Sequence, residues 1–538
     1  MHHTFKSVLL GLVLFMLLIS TSNCAKRGNP EGGPKDSLPP IVVRTVPENY
    51  SVNFDAKEIR IYFDEYVRLN NVQRQLVVSP PFLNEAKITP LGAAKYIKIV
   101  ITDTLKENTT YAINFGKSIV DNNEANAYEY YKYVFSTGTF IDSLSLKGTV
   151  KDALLAVPEK DIAVMLYEYN EAYTDSLILT EKPYYIANVQ DSTFGFDLTN
   201  LKAGQYVLTA LKDKNNNYKF DPFEDKIGYE NQIITIPTDS VYEISLFQEV
   251  LDYEIKRPLQ VSKQQILFGY QGVADELSLE LTDPKPEGFE KRILKERDKD
   301  SLRYWFKPSI TADSLQFIAT NRSIIDTLIV RWRDYAADSL QVRGITQGNI
   351  NFKENVVIGA NIPIVSIDTS LIKITNKDSM QIPYQTRLDT LHNELSLPID
   401  LIEEERYSIQ ILPGAITDYY GNTNDTLSLR AATQSKSDYG TLTMDVQNAS
   451  SYPIIVELIQ TNGPVVESAV LESPRPVTFE YIEPGQYYVR VIYDLNANGI
   501  WDTGNFLRKE QPEPVIYYGE VIEANANWFL NQIFILEE

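Results

Sequence analysis

The chain has 538 residues, a formal net charge of −22, 43% hydrophobic and 11% aromatic residues, and one cysteine. That acidity argues against nucleic acid and against adhesion to anionic headgroups through the protein surface, while a lone thiol excludes an internal disulfide or a zinc–thiolate centre. Stability must come from buried cores, and at roughly 100–150 residues per domain the length predicts three to five of them.

A short start with Lys6 precedes an apolar run over 8–19, and small polar residues then lead to Cys24. The run is shorter than the ~20 residues a bilayer-spanning helix needs, so residues 1–23 read as a targeting segment. The pattern resembles a bacterial lipoprotein signal, although Thr21 and Asn23 depart from the usual aliphatic and small residues before the cysteine. The resemblance implies that Cys24 carries an N-terminal lipid anchoring the mature chain in the outer membrane, on the cell surface rather than the periplasmic face. Residues 24–40, rich in Gly, Pro, Lys and Asp, read as a flexible tether.

Residues 41–140 alternate short β-branched and aromatic runs with turns such as Ser79-Pro80-Pro81 and Asp121-Asn122-Asn123-Glu124. No long helical period interrupts them, so they predict a β-sandwich. Pro39-Pro40, Ile61-Tyr62-Phe63-Asp64-Glu65, Asn108-Thr109-Thr110-Tyr111 and Phe135-Ser136-Thr137-Gly138 together resemble the bacterial Ig-like domain of S-layer proteins. With Cys24 and Gly32-Gly33-Pro34-Lys35-Asp36, the N-terminal stretch resembles the Ig-like lipoproteins of Bacteroidota. In Tyr128-Glu129-Tyr130-Tyr131-Lys132-Tyr133, strand periodicity puts Tyr131 and Tyr133 on one face and Tyr128 and Tyr130 on the other. Cross-strand aromatic packing is the expected use, with a stacking platform for sugars or protein as the sharper alternative.

Residues 144–249 form a smaller all-β unit that resembles the prealbumin-like domains of stalks and regulatory modules. Residues 250–345 read as a divergent β domain in which the charged run over 291–300 is a polar loop. A second Ig-like copy covers 346–434, where Glu404-Glu405-Arg406-Tyr407 parallels Asn108-Thr109-Thr110-Tyr111, and Glu403-Glu404-Glu405 reads as a solvated turn. A second prealbumin-like copy covers 438–538. Gly204-Gln205-Tyr206 leading to Asp213 and Asp221 recurs as Gly485-Gln486-Tyr487 leading to Asp494 and Asp502, with 485 − 204 = 494 − 213 = 502 − 221 = 281. A constant offset across a Gly, a Tyr and two Asp identifies a duplicated unit. The predicted architecture is all-β, a rod of tandem Ig-like and prealbumin-like sandwiches.

The repeated Asp-x-Asn-x-Asn loop is the one motif with coordination chemistry. A calcium loop draws oxygens from positions 1, 3, 5, 7, 9 and 12. In the first copy these include Asp213, Asn215, Asn217, Asp221 and Glu224, with Tyr218 where the turn prefers Gly. In the second they include Asp494, Asn496, Asn498 and Asp502, with Gly499 at the turn and Asn505 in place of the final carboxylate. The same residues equally suit a turn whose Asp and Asn side chains bond neighbouring backbone, and that use is the expected one, with Ca²⁺ as the alternative.

Only His392 remains after the targeting segment, in a loop where a solvated role is expected, and no local pattern selects a carboxylate pair. The reading is a non-catalytic, lipid-anchored scaffold or accessory subunit of an envelope protein complex, such as outer-membrane protein assembly or surface-lipoprotein export. A glycan-binding or adhesive surface protein is the alternative.

Overall fold

A computed structural model describes residues 37–537, apart from Tyr130, Asn216 and the Arg74 side chain. The targeting segment, Cys24 and most of the tether lie outside the described residues. The chain divides into two compact units, 1–142 and 143–538, and the described residues are all-β with two single-turn α-helices and two 3₁₀ turns.

Alternation builds the first unit. Along Glu58–Leu69, Ile59, Ile61 and Phe63 are buried while Arg60 and Asp64 face out, the pattern of a sheet with one face on a core. That strand pairs with Val42–Val46 and Ala94–Val100, and Val77–Ser79, Thr110–Asn114 and Lys132–Ser136 form the second sheet. Ile59, Ile61, Ile97, Ile99, Tyr111 and Phe135 join across the gap in one core. The aromatic run behaves differently from its strand period. The strand begins only at Lys132, so Tyr128 lies ahead of it and packs on the same core, 5.5 Å from the Tyr131 ring.

The second unit holds four sandwiches. In 144–249, Gly195–Leu201, Leu144–Asp152 and Val241–Leu246 make one sheet, the last two strands parallel; Tyr185–Asn188, Ala163–Glu168, Gly204–Lys212 and Lys226–Tyr229 make the other. The segment 438–538 repeats this strand for strand. Val477–Ile482, Gly440–Gln447 and Phe529–Ile535 form a sheet that again ends in a parallel pair, opposite Val465–Leu471, Ile454–Gln460, Gly485–Tyr493 and Val515–Tyr517. Even the polar anchors recur: the Tyr206 hydroxyl donates to the Lys202 carbonyl at 2.9 Å and the Tyr487 hydroxyl to that of Glu483 at 2.7 Å.

The two Ig-like sandwiches share a tyrosine latch. Lys106 N–H donates to the Tyr111 hydroxyl at 2.9 Å, and Ile402 N–H to that of Tyr407 at 2.8 Å. Beside each latch the turn passes through a left-handed residue, Asn108 (φ 49°) or Glu404 (φ 53°). Thr137 and Thr433 then close each turn by donating to the carbonyls of Lys106 and Ile402, so that 407 − 111 = 433 − 137 = 296. Asp121 and Asp418, both buried, gather the backbone N–H groups of the next turn. Burial alone would raise the Asp121 pKa, but N–H bonds from Asn123, Glu124, Ala125 and Asn126 outweigh it and hold the carboxyl below its ordinary value.

Three expectations need correction. The charged run is a strand for half its length: Glu290–Lys295 pairs with Ser301–Lys307 at a sheet edge, where alternate charged side chains are tolerated because one face is solvated. Glu405 is buried, because its carboxylate accepts the N–H groups of Lys377 at 3.0 Å and Arg406 at 2.8 Å, which hold its pKa down. Strand Val342–Gly344 pairs with Val356–Ala360 and so joins the second Ig-like sandwich.

Nor is the second unit a rod. Leu294 and Trp305 of the middle sandwich pack on Ile362 and Tyr419 of the Ig-like one. Phe352 stacks near Tyr481, and Lys353 pairs with Glu467 at 2.6 Å, joining that sandwich to the last. The last returns to the first, so the four close on themselves.

Replacing Tyr407 with Phe leaves the Ile402 N–H without its acceptor, and we expect a loss of about 1–2 kcal/mol in urea unfolding of the full chain. An unchanged midpoint would show that the latch does not hold the turn.

Candidate functional site

The duplicated Asp/Asn loops follow the strands Gly204–Lys212 and Gly485–Tyr493 and share matching backbone hydrogen bonds. Asp213 Oδ2 accepts the Tyr218 N–H at 2.7 Å, and Asp494 Oδ2 accepts the Gly499 N–H at 2.8 Å. Asn217 Oδ1 accepts from Lys219 N–H at 2.8 Å and Asn498 Oδ1 from Ile500 N–H at 2.9 Å. Tyr218 takes the left-handed conformation (φ 57°) that Gly499 takes (φ 80°), so lack of glycine does not change the turn.

In the second copy the Asn496 and Asn498 amides both donate to Asp502 Oδ2, at 2.6 and 2.7 Å. Asn215 and Glu224 of the first copy are exposed. A cation would have to displace the N–H and amide donors that these oxygens already serve, and among the described residues no group of three or more His, Cys, Asp or Glu could hold a metal ion. The arrangement is that of a hydrogen-bonded turn.

Each loop is seated by a carboxylate outside the motif. Asp225, fully buried, accepts the N–H groups of Lys214 at 2.8 Å and Asp221 at 2.9 Å. Glu513 accepts the equivalent N–H groups of Leu495 at 2.7 Å and Asp502 at 3.0 Å. Burial pushes the Asp225 pKa up, against the pull of its two N–H donors. Sequence reasoning chose Glu224, as the twelfth-position ligand of a calcium loop, and missed Asp225 as the seat, because a ligand count fixes position 12 while the backbone turns the next residue inward.

The seat residues also expose an insertion. Asp221 and Asp502 are 281 apart, but Tyr229 and Tyr517, which hold the same ladder positions opposite Thr209 and Arg490, are 517 − 229 = 288 apart. The second copy therefore carries 288 − 281 = 7 extra residues, within 503–513. That loop binds the first copy. Thr503 donates to the Gln248 carbonyl at 2.7 Å, Phe506 N–H to Glu249 at 2.6 Å, and Gln511 to the Tyr229 carbonyl at 3.1 Å.

Phe506 is fully buried, its ring edge-on to Tyr229 at 5.2 Å, with Lys509 over it at 3.9 Å and paired to Asp175 at 2.7 Å. Gly504 is required, since a Cβ there would lie 2.5 Å from the Glu510 carbonyl and 2.8 Å from the Phe247 ring. Alongside, Arg490 and the Tyr517 hydroxyl both donate to the Leu154 carbonyl at 2.6 Å, with Arg490 held on Glu457. His392 is half-buried rather than solvated, its Nδ1 2.8 Å from Asp389.

Two sandwich pairs with repeated internal latches are now in view. Residues 36–137 match the bacterial Ig-like domain family. No curated protein matches the chain. Among solved structures, an S-layer protein, rSbsC(31-844), overlays 90% of this chain and 67% of its own at 10% identity and a TM-score of 0.14. Titin domains A168-A170 overlay 52% of this chain and 98% of theirs at 12% identity and 0.14. The major pilin subunit of Bacillus cereus, BcpA*(D312A), overlays 74% and 100% at 10% identity and 0.14.

Two outcomes test this site. Asp225→Ala is expected to cost about 2 kcal/mol by leaving two part-buried N–H groups without their acceptor, while Glu224→Ala costs under about 0.5 kcal/mol; equal costs in denaturant unfolding would return the seat to Glu224. Phe506→Ala is expected to cost about 3–5 kcal/mol and to raise hydrogen exchange of the backbone around Tyr229. Unchanged exchange there would mean the loop does not hold the copies together.

Proposed function

We propose that this chain is a non-catalytic scaffold or accessory subunit of a bacterial envelope complex, held at the outer membrane by lipid on Cys24. The observation that carries this reading is the closed seam between the two prealbumin-like copies, made by the insertion that only one of them has. Four sandwiches whose mutual angles are fixed by buried aromatics, ion pairs and backbone bonds present their loops at set distances, which is the physical requirement of a positioning subunit. Independent modules on flexible linkers would present them at random.

Among the described residues the Ig-like and prealbumin-like modules each occur as two diverged copies, which suits a dedicated protein partner better than a run of near-identical repeats would. The strong negative charge keeps the body apart from anionic headgroups, so that attachment falls to the lipid alone. A large outer-membrane barrel protein with associated lipoproteins is the partner this geometry suits.

Affinity purification of the chain from mildly solubilised envelopes should recover such a barrel at constant ratio, and Cys24→Ala should abolish recovery. If the chain emerges alone, and a carbohydrate array retains it, the glycan-binding reading replaces the scaffold.

A further inference from the structure

Between the middle sandwich and the second Ig-like sandwich lies a cleft of about 420 Å³, lined by residues of both. Its charge is opposite to that of the chain. Lys295, Arg297, Lys299, Arg303 and Arg343 line it against two carboxylates, Glu296 and Glu394, while the chain as a whole carries −22. Four of these cations, Lys295, Arg297, Lys299 and Arg303, come from the hairpin of Glu290–Lys295 and Ser301–Lys307, the first three of them from the charged run whose sequence suggested only a polar loop.

The cations fall into two classes. Arg297 is held by Glu394 through two bonds, Nε to Oε1 at 3.2 Å and Nη2 to Oε2 at 2.6 Å. Arg303 is held by Glu296, with Nε and Nη2 at 3.0 and 2.7 Å from Oε1. A guanidinium has five N–H donors, so each arginine is fixed in orientation and keeps donors to spare. Lys295 and Arg343 line the same space and have no ion-pair partner among the described residues.

The floor is rigid. Lys295 N–H donates to the Leu391 carbonyl at 2.9 Å, which ties the two sandwiches across the cleft. Asn393, buried, donates to the carbonyls of Ala360 at 2.8 Å and Ile362 at 2.7 Å and accepts the Ile364 N–H at 2.7 Å. His392 lines the space, its ring held by Asp389 at 2.8 Å from Nδ1.

We propose that this cleft binds a small phosphate-bearing molecule. Oriented guanidinium donors and unpaired cations converging on one concavity recognise oxyanions through charge-assisted bonds. The size lies at the small end of the ~300–1,000 Å³ of small-molecule sites, and the chain's net charge of −22 opposes an extended polyanion. The occupant is therefore a compact anion: a free phosphorylated molecule or the phosphate of a lipid headgroup.

The test is calorimetric titration of the purified full chain with inorganic pyrophosphate, and co-sedimentation with vesicles of zwitterionic phosphatidylethanolamine, which carry the headgroup phosphate without a net negative surface. Pyrophosphate should bind, and the double change Lys295→Glu, Arg343→Glu should weaken it by roughly tenfold or more, since two exposed cations are reversed. Lys147→Glu with Lys151→Glu, on the outer face of another sandwich, should leave it unchanged, and thermal melts of both variants check their folding. Vesicle binding that pyrophosphate competes away would assign the headgroup, and pyrophosphate binding without vesicle binding would assign the free molecule. Absence of heat at millimolar pyrophosphate, or equal affinity in the cleft variant, would overturn the proposal.

Discussion

The closure of the larger unit depends on one wedge, the Phe506 ring standing edge-on to Tyr229 while its own backbone N–H is held by Glu249. Each prealbumin-like copy has a complete core of its own, so neither needs the other to fold. What the wedge adds is a fixed angle between them. Burying an aromatic ring with a charge-assisted backbone bond at its base is strong and directional. Burial raises the Glu249 pKa, the cost of taking that carboxylate out of water, and the Phe506 N–H opposes the rise. Once first and last sandwiches are locked, the two between them have little freedom left.

The repeat was legible in the sequence because its markers are local. Gly204 and Gly485 open strands, Tyr206 and Tyr487 bond a carbonyl four residues back, and Asp213 and Asp494 cap the turn that follows. Each works within a few residues, so its spacing survives divergence. The Ig-like latches are legible for the same reason, Tyr111 and Tyr407 reaching back five residues. The seam was not legible. Thr503 and Gln248 are 255 residues apart, and an insertion at the surface of one copy reads as any other loop until its partner is seen.

Charge misled in both directions. Glu405 looked like the end of a solvated acidic turn, yet it is buried as an acceptor for two backbone N–H groups, a use that composition does not reveal. The run over 291–300 looked like a loop because five of its residues are cationic and three anionic. An edge strand with Leu294 turned inward accommodates them. In each case the backbone geometry decides which side chain faces protein and which faces water, and that geometry is set by pairing with distant strands.

Closure has a consequence for how such a chain is made. Residues 144–249 can complete their core as soon as they emerge, but the patch around Gln248, Glu249 and Tyr229 stays bare until the 503–513 loop has been synthesised and delivered. During that interval an acidic residue and an aromatic ring, both destined for burial, face the surrounding medium together. The strong overall negative charge then has a second use, keeping half-made copies from meeting one another through that bare patch before the rest of the chain arrives to cover it.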